Sequence, residues 1–118
     1  SLHDALPIYL LSTLDKVRAV WNPSLELEGI LLTMVDTRTS LMQQVESEVR
    51  GHFGPKVYKT LVPRNIRLSE APSHGLPILK YDPASRGSYA YGQLAKEVLS
   101  HKNAALSAPS QPSVQGSP

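Results

Sequence analysis

This sequence of 118 residues contains no cysteine. Without cysteine there is no disulfide, no thiolate nucleophile and no cysteine-bound zinc, and such a composition suits a cytosolic protein. The chain also lacks an apolar run of the roughly 18 residues that a membrane helix needs, so we expect no contact with a membrane. Its length allows one small domain at most, or a piece of a larger one.

Motifs that bind phosphate or metal are absent as well. Neither GxxxxGK[ST] nor GxGxxG occurs, so no segment offers the usual backbone cradle for a triphosphate. Ser69, Glu70 and His74 are the residue types of a nucleophile set, but they share one loop without an elbow motif, which favours turn formation and capping. We therefore expect no catalytic residue. Metal-ligand spacing is missing from all four histidines: His3, His52, His74 and His101.

Positive charge is concentrated in one part of the chain. The net charge of +2 is too small to indicate a nucleic-acid partner by itself. Between Arg50 and Arg67, however, the sequence has five cations and no acid. This basic segment is either a solvated face or a surface that binds a polyanion.

The two ends differ from the rest. From Asn103 onward the chain is rich in Ser, Pro and Ala, without a charge or an aromatic residue, so we expect residues 102–118 to be a disordered tail. The first eight residues, SLHDALPI, resemble the translation of a common sequencing-library adapter, and Pro7 should interrupt any helix there. We expect residues 1–8 to be adapter-derived and the natural protein to extend upstream.

Apolar residues at helical spacing predict three helices between these ends. The first helix has apolar residues along one face from Leu10 to Trp21 and should end at Asn22-Pro23. The second begins with the capping-box spacing of Ser40 and Gln43 and ends at Gly54. The last helix should begin either at Asp82-Pro83 or at Ser85. Gly92 within it should lower helix stability by about 1 kcal/mol.

Two apolar runs predict strands. Ile30–Val35 is continuous enough for a strand covered on both faces, and Val57–Val62 is a second run that Pro63 stops. With a helix between them they form a βαβ unit, whose strands are parallel. The fold class is therefore α/β. Two strands are few for a parallel sheet, so the architecture looks incomplete. Residues 63–85 should be a loop with one short helix.

Arginines follow both strands. In an open parallel sheet, ligands bind outside the carboxyl ends of the strands, which here are Thr33–Arg38 and Pro63–Arg67. These loops should lie at the same edge, from which Arg38 and Arg67 would reach an anion. Alternatively, each arginine pairs with a neighbouring carboxylate, Asp36 or Glu70.

Several motifs occur in order between Leu27 and Leu99: GILLTM, D-x-R-T, VPRN-x-RLSEAPS-x-G-x-PI, YDP-x-S-x-G and LAKEV. Together they resemble the C-terminal part of ParA-type, Soj-like partition ATPases, and the resemblance covers essentially residues 9–101. It implies a deviant Walker P-loop fold that binds ATP and Mg, an ATP-dependent homodimer, nonspecific DNA binding and a ParB-like partner. It also implies a cytoplasmic, nucleoid-associated protein that segregates a chromosome or plasmid.

The resemblance assigns roles to six residues. Thr33 and Met34, with Pro63 and Asn65, match positions against which the adenine rests in that family. Arg38 and Arg67 match arginines implicated in its DNA contact, which would involve phosphates without reading sequence.

The phosphate loop and the catalytic aspartate of that family have no counterpart here. We therefore expect an N-terminally truncated piece of a partition ATPase that neither hydrolyses nor tightly binds ATP alone. The alternative is a stand-alone, non-enzymatic DNA-binding or regulatory module derived from the family. A MinD-like positioning ATPase is less favoured, because RLSEAPS-x-G is typical of the partition branch and no membrane-targeting helix ends the chain.

Overall fold

The structure is a computed structural model that describes residues 2–107, with the side chains of residues 2–6 left out. Helices and strands alternate along the first half, and short helices precede a long final helix. Two single 3-10 turns occur at Gly54–Lys56 and Ala71–His74. The elements are α1 (Leu2–Val20), β1 (Ile30–Val35), α2 (Ser40–Phe53), β2 (Val57–Pro63), α3 (Ile66–Glu70), α4 (Ile78–Tyr81) and α5 (Arg86–Ser107).

The two strands pair in parallel, which confirms the βαβ unit and the α/β class. Val35 lies opposite Pro63, so the strands end together. Ile30 lies opposite Val57, and Leu32 lies opposite Leu61. Two residues of β1 therefore span the same distance as four of β2, and β2 bulges between the two pairs.

The core lies between the sheet and α5, which packs along β2. Val62 is its most buried side chain. The prediction that β1 is covered on both faces is wrong for the described residues, because Thr33 and Met34 are exposed and only Val35 is buried. The buried apolar residues are Val35, Val49, Val57, Tyr58, Val62, Ala71, Ile78 and Ala90.

The cap of α2 differs from the prediction by one residue. Thr39, not Ser40, is the N-cap, and its hydroxyl accepts a hydrogen bond from the N–H of Met42 at 3.3 Å. A threonine cap serves as well as a serine because both offer a side-chain oxygen to the first turn. Gly54 ends the helix as predicted, with a φ of 55° that favours glycine.

Both predictions about the ends need correction where the structure describes them. Helix α1 runs from Leu2 through Pro7 without a break, so Pro7 removes one backbone hydrogen bond from the helix but does not end it. Helix α5 continues to Ser107, so residues 102–107 of the expected tail are helical. Alanine and leucine at positions 104–106 are strong helix formers. Residues 108–118 lie outside the described residues.

Residues 63–85 are more helical than the sequence suggested. Two short helices and a 3-10 turn occupy most of this segment. Asn65 caps α3 by accepting the N–H of Arg67 at 2.9 Å. Gly75 ends the turn with a φ of 64°. The prolines that suggested a loop instead precede or begin helical turns, where a missing N–H is tolerated. Ser85 starts α5, as one of the two predictions had it, by accepting the N–H of Ser88.

Glu97 of α5 satisfies the backbone of the β2 bulge. Its carboxylate accepts the N–H of Lys59 at 2.7 Å and that of Thr60 at 2.9 Å, and it also accepts the Thr60 hydroxyl at 2.7 Å. A bulge leaves backbone donors without a strand partner, and a buried donor without an acceptor is costly. Glu97 therefore fixes the position of α5 along β2.

We predict that Glu97→Ala lowers the free energy of unfolding by about 1–3 kcal/mol, because it leaves two backbone N–H groups without an acceptor. Burial alone would raise the pKa of Glu97, but the Thr60 hydroxyl and the two N–H groups outweigh it, and the pKa lies below its ordinary 4.5. A carboxyl with a lowered folded-state pKa contributes stability above its unfolded pKa and loses it as the pH falls.

Urea unfolding between about pH 7 and pH 3 tests this prediction. Wild type should lose stability below about pH 4.5, and Glu97→Ala should lose less over the same range. Asp15→Ala, which removes an exposed carboxylate of α1, should leave both quantities nearly unchanged. Equal pH dependence in wild type and Glu97→Ala would contradict the assignment.

Two glycines of α5 form a matched pair for a second prediction. A Cβ at Gly87 would lie 2.5 Å from Cγ of Leu68 on α3, whereas a Cβ at Gly92 would meet nothing within 4 Å. We predict that Gly87→Ala lowers the free energy of unfolding by about 1–3 kcal/mol through overpacking. Gly92→Ala should raise it by up to about 1 kcal/mol. Thermal unfolding measures both, and a change of the same sign in both variants would contradict the packing described.

Candidate functional site

The carboxyl ends of β1 and β2 adjoin, as the sequence predicted. The N–H of Arg64 donates to the carbonyl of Val35 at 3.2 Å and extends the pairing one residue beyond β2. The loop after β1 and the loop after β2 therefore leave the sheet side by side. This edge holds the strand-end residues that the sequence singled out.

Arg38 forms a two-pronged ion pair with Asp36. Nε donates to Oδ1 and Nη2 donates to Oδ2, both at 3.0 Å. The Arg38 guanidinium, together with the Arg38 N–H, lowers the pKa of Asp36 from 3.8 to about 2. The pairing alternative from the sequence is thus realised, but 87% of the Arg38 side chain is exposed. Because water screens exposed ion pairs, the guanidinium remains accessible to an external anion.

Arg67 is held by two carboxylates. Its Nη1 donates to Glu70 at 3.1 Å, and its Nε lies 3.3 Å from Asp82. Glu70 also accepts the hydroxyl of Tyr81, whose ring stacks on His74. The Tyr81 hydroxyl lowers the pKa of Glu70 against the effect of burial, and Arg67 lowers it further. Sequence reasoning named Glu70 as a partner but missed Asp82 and Tyr81, which lie on a later segment.

The four residues predicted to contact adenine are not equivalent in the structure. Thr33 and Met34 are exposed at the end of β1, and Pro63 is half-buried at the end of β2. Asn65 uses its side-chain oxygen to cap α3. Met34 has a φ of 53°, which is uncommon for a residue with a side chain, and the side chain is exposed. Backbone strain of this kind is concentrated at functional sites in proteins.

An open cleft of about 1040 Å³ lies between the strand ends and the first turns of α5. Arg38 and Pro63 line it, whereas Thr33, Met34, Asn65 and Arg67 do not. Lys59 and Arg64, from the basic segment, line it as well, and so does Arg86 of α5. The charge run in the sequence drew attention to Lys59 and Arg64, but no local pattern placed Arg86 beside them. The other lining residues are Val35, Asp36, Thr37, Thr60, Leu61, Ala84, Ser85, Tyr89, Ala90 and Gln93.

Two other kinds of site were sought in the described part of the chain. Among residues 7–107, whose side chains the structure describes, no group of three His, Asp or Glu side chains is arranged to hold a metal ion. Nor is any helix there long and apolar enough to cross a bilayer.

Several proteins with similar sequences are described as chromosome partitioning proteins. The chain is 53% identical over 93 residues to the chromosome partitioning protein ParA of Caulobacter vibrioides, a match that covers 79% of the chain. It is 57% identical over 90 residues, 76% of the chain, to the chromosome-partitioning ATPase Soj of Thermus thermophilus. With the sporulation initiation inhibitor protein Soj of Bacillus subtilis the identity is 56% over 92 residues, or 78% of the chain.

These matches extend over only part of each relative. They cover 35% of the Caulobacter protein and 36% of each Soj protein. No protein-family model matches the chain. At this level of identity over more than three quarters of its residues, the chain belongs to the ParA/Soj family of chromosome partitioning proteins.

Proposed function

We propose that this chain carries the DNA-contacting surface and the adenine-side wall of a ParA-type partition ATPase. The observation that supports this most directly is the pair of arginines at neighbouring strand ends. Arg38 and Arg67 both keep half or more of their side chains exposed. Exposed guanidinium groups bind phosphates by charge and by paired hydrogen bonds, without reading the bases.

The ion pairs of these arginines are compatible with DNA binding. Each pair holds its guanidinium in one orientation at the surface, so less conformational freedom is lost when a phosphate binds. DNA would compete with Asp36 for Arg38, and with Glu70 and Asp82 for Arg67. Each contact between a guanidinium and a phosphate releases counterions from the DNA, so the affinity for DNA should fall as the salt concentration rises.

For the nucleotide, the proposal assigns Thr33 and Met34 to one side of the adenine, and Pro63 and Asn65 to the other. The exposed Met34, with its strained backbone, supports this assignment because an adaptable thioether side chain packs well on a flat ring. The phosphates and Mg would be bound by a phosphate loop of the deviant Walker P-loop fold, which this sequence does not contain. The chain alone would therefore not hydrolyse ATP.

The remaining parts of the proposal concern the intact family protein. There the chain would take part in an ATP-dependent homodimer that binds nonspecific DNA and responds to a ParB-like partner. Such a protein would be cytoplasmic and associated with the nucleoid, and it would segregate a chromosome or a plasmid.

A stand-alone DNA-binding or regulatory module is the second candidate. It is favoured by the same two arginines together with the missing phosphate loop, since a surface that binds DNA needs no catalytic residue. The two candidates differ in the effect of ATP. DNA affinity that ATP does not change favours the module, and DNA affinity that ATP raises once the rest of a longer protein supplies a phosphate loop favours the partition ATPase.

Fluorescence anisotropy with a duplex of arbitrary sequence tests the DNA contact. We predict that Arg38→Gln and Arg67→Gln each weaken binding, because each removes one phosphate contact. The plot of log affinity against log salt has a negative slope, and its magnitude should decrease by about 0.9 in each variant.

Lys16→Gln is the matched control, because it removes one exposed charge on α1, away from the strand ends. Binding by the control should equal that of the wild type. A wild-type chain that is folded but does not bind duplex DNA would contradict the proposal, as would unchanged slopes in both arginine variants.

A further inference from the structure

The cleft beside Arg38 is large and open to solvent. Its volume of about 1040 Å³ lies at the upper end of the roughly 300–1,000 Å³ that enclosed small-molecule sites occupy. It is open to solvent, and its walls come from the loop after β1, from β2 and from the first turns of α5. Because the cleft is open, its volume alone does not select the ligand, and the charge of its lining decides which ligand chemistry it favours.

Positive charge dominates the lining. Four cations, Arg38, Lys59, Arg64 and Arg86, face a single carboxylate, that of Asp36. Arg38 already neutralises Asp36 through two hydrogen bonds. The ion pairs found among residues 7–107, whose side chains the structure describes, do not include the other three cations.

The three remaining cations come from different elements. Lys59 lies within β2, Arg64 follows its end, and Arg86 begins α5. Each is exposed. Because they are anchored to a strand, a strand end and a helix that are packed together, their spacing is set by the fold and not by a flexible loop. Tyr89, which is 70% exposed on the same wall, adds a hydroxyl of the kind that also contacts phosphates.

We propose that this cleft binds the sugar-phosphate backbone of DNA, with Lys59, Arg64 and Arg86 each contacting a phosphate. The proposal rests on the DNA-binding function proposed above and extends it to residues that the family motifs did not single out. Arg38 lies at the junction of the two surfaces, so one DNA strand can pass from the strand-end arginine into the cleft. The charge complementarity favours a polyanion over a neutral or a peptide ligand.

The experiment compares the salt dependence of duplex binding among three proteins. The first is the wild-type chain, and the second carries Lys59→Gln, Arg64→Gln and Arg86→Gln together. The third is a matched control with Lys16→Gln, Lys96→Gln and Lys102→Gln, which removes the same charge from exposed helix positions outside the cleft. Far-ultraviolet circular dichroism verifies that each protein is folded, and single variants of the cleft residues replace the triple variant if it is not.

Loss of three phosphate contacts should decrease the magnitude of the slope of log affinity against log salt by about 2.7, at about 0.9 for each contact. Each single variant should decrease this magnitude by about 0.9. The control should keep the wild-type slope within about one contact. The same proteins are titrated with ATP alone, because a nucleotide is the other phosphate-bearing ligand that could enter the cleft.

Each outcome decides between the proposals. If Arg38→Gln and Arg67→Gln lower the slope but the cleft variants do not, the cleft proposal is overturned and the proposed function stands. If the cleft variants abolish ATP binding and leave DNA binding intact, the cleft is a nucleotide site and the proposal is wrong. If the slope decreases equally in the control, the effect comes from net charge alone, and the cleft proposal is overturned. If folded wild type does not bind DNA, both proposals fail.

Discussion

The parallel pairing of β1 with β2 is the constraint on which the rest of the structure depends. It brings Val35 opposite Pro63, and the bond from the Arg64 N–H to the Val35 carbonyl carries the pairing into the loops. Without it, the loop that contains Arg38 and the loop that leads to Arg67 would have no fixed relation to each other. The site is therefore a consequence of strand register, because a shift of even one residue would turn the strand-end side chains to the opposite face.

A second constraint links the sheet to α5. The register between the strands is irregular, and the additional residues of β2 leave backbone donors that β1 does not satisfy. Glu97 accepts these donors from a helix almost 40 residues farther along the chain, by way of Lys59 and Thr60. The same contact ties α5 to β2, the two elements from which Arg86 and Lys59 line the cleft. A half-buried carboxylate with a structural role thereby holds together two of the elements that line the basic cleft.

The sequence was sufficient to predict the elements whose patterns are local. The bounds of β1 were predicted to the residue, and the parallel pairing followed from the helix between the strands. The predictions failed where a residue has two possible roles. Pro7 lies inside a helix, prolines 72 and 77 border helical turns, and Thr39 caps the helix that Ser40 was expected to cap. In each case the residue type permits both outcomes, and its place in the chain of backbone hydrogen bonds decides between them.

The site was predictable to a similar degree and for a similar reason. Arg38 and Arg67 were found because they follow strands, and their carboxylate partners at short sequence separation were foreseen. Asp82, Tyr81 and Arg86 were missed because they reach the site from a different segment, and no periodicity in one sequence reports such long-range neighbours. The left-handed backbone of Met34 was equally hidden, since nothing in the residues around it requires that conformation.

The ion pairs at the strand ends also determine how this surface responds to pH and to salt. The pKa of Asp36 at about 2, held down by the Arg38 guanidinium, keeps this carboxylate charged throughout the neutral range. Protonation therefore cannot release Arg38 at neutral pH, and only a competing anion or added salt can do so. A phosphate that displaces Asp36 leaves that carboxylate close to the DNA, where its repulsion opposes binding. In the DNA complex proposed above, the cations of the cleft would offset this repulsion, so Arg38 and the cleft would act as parts of one surface.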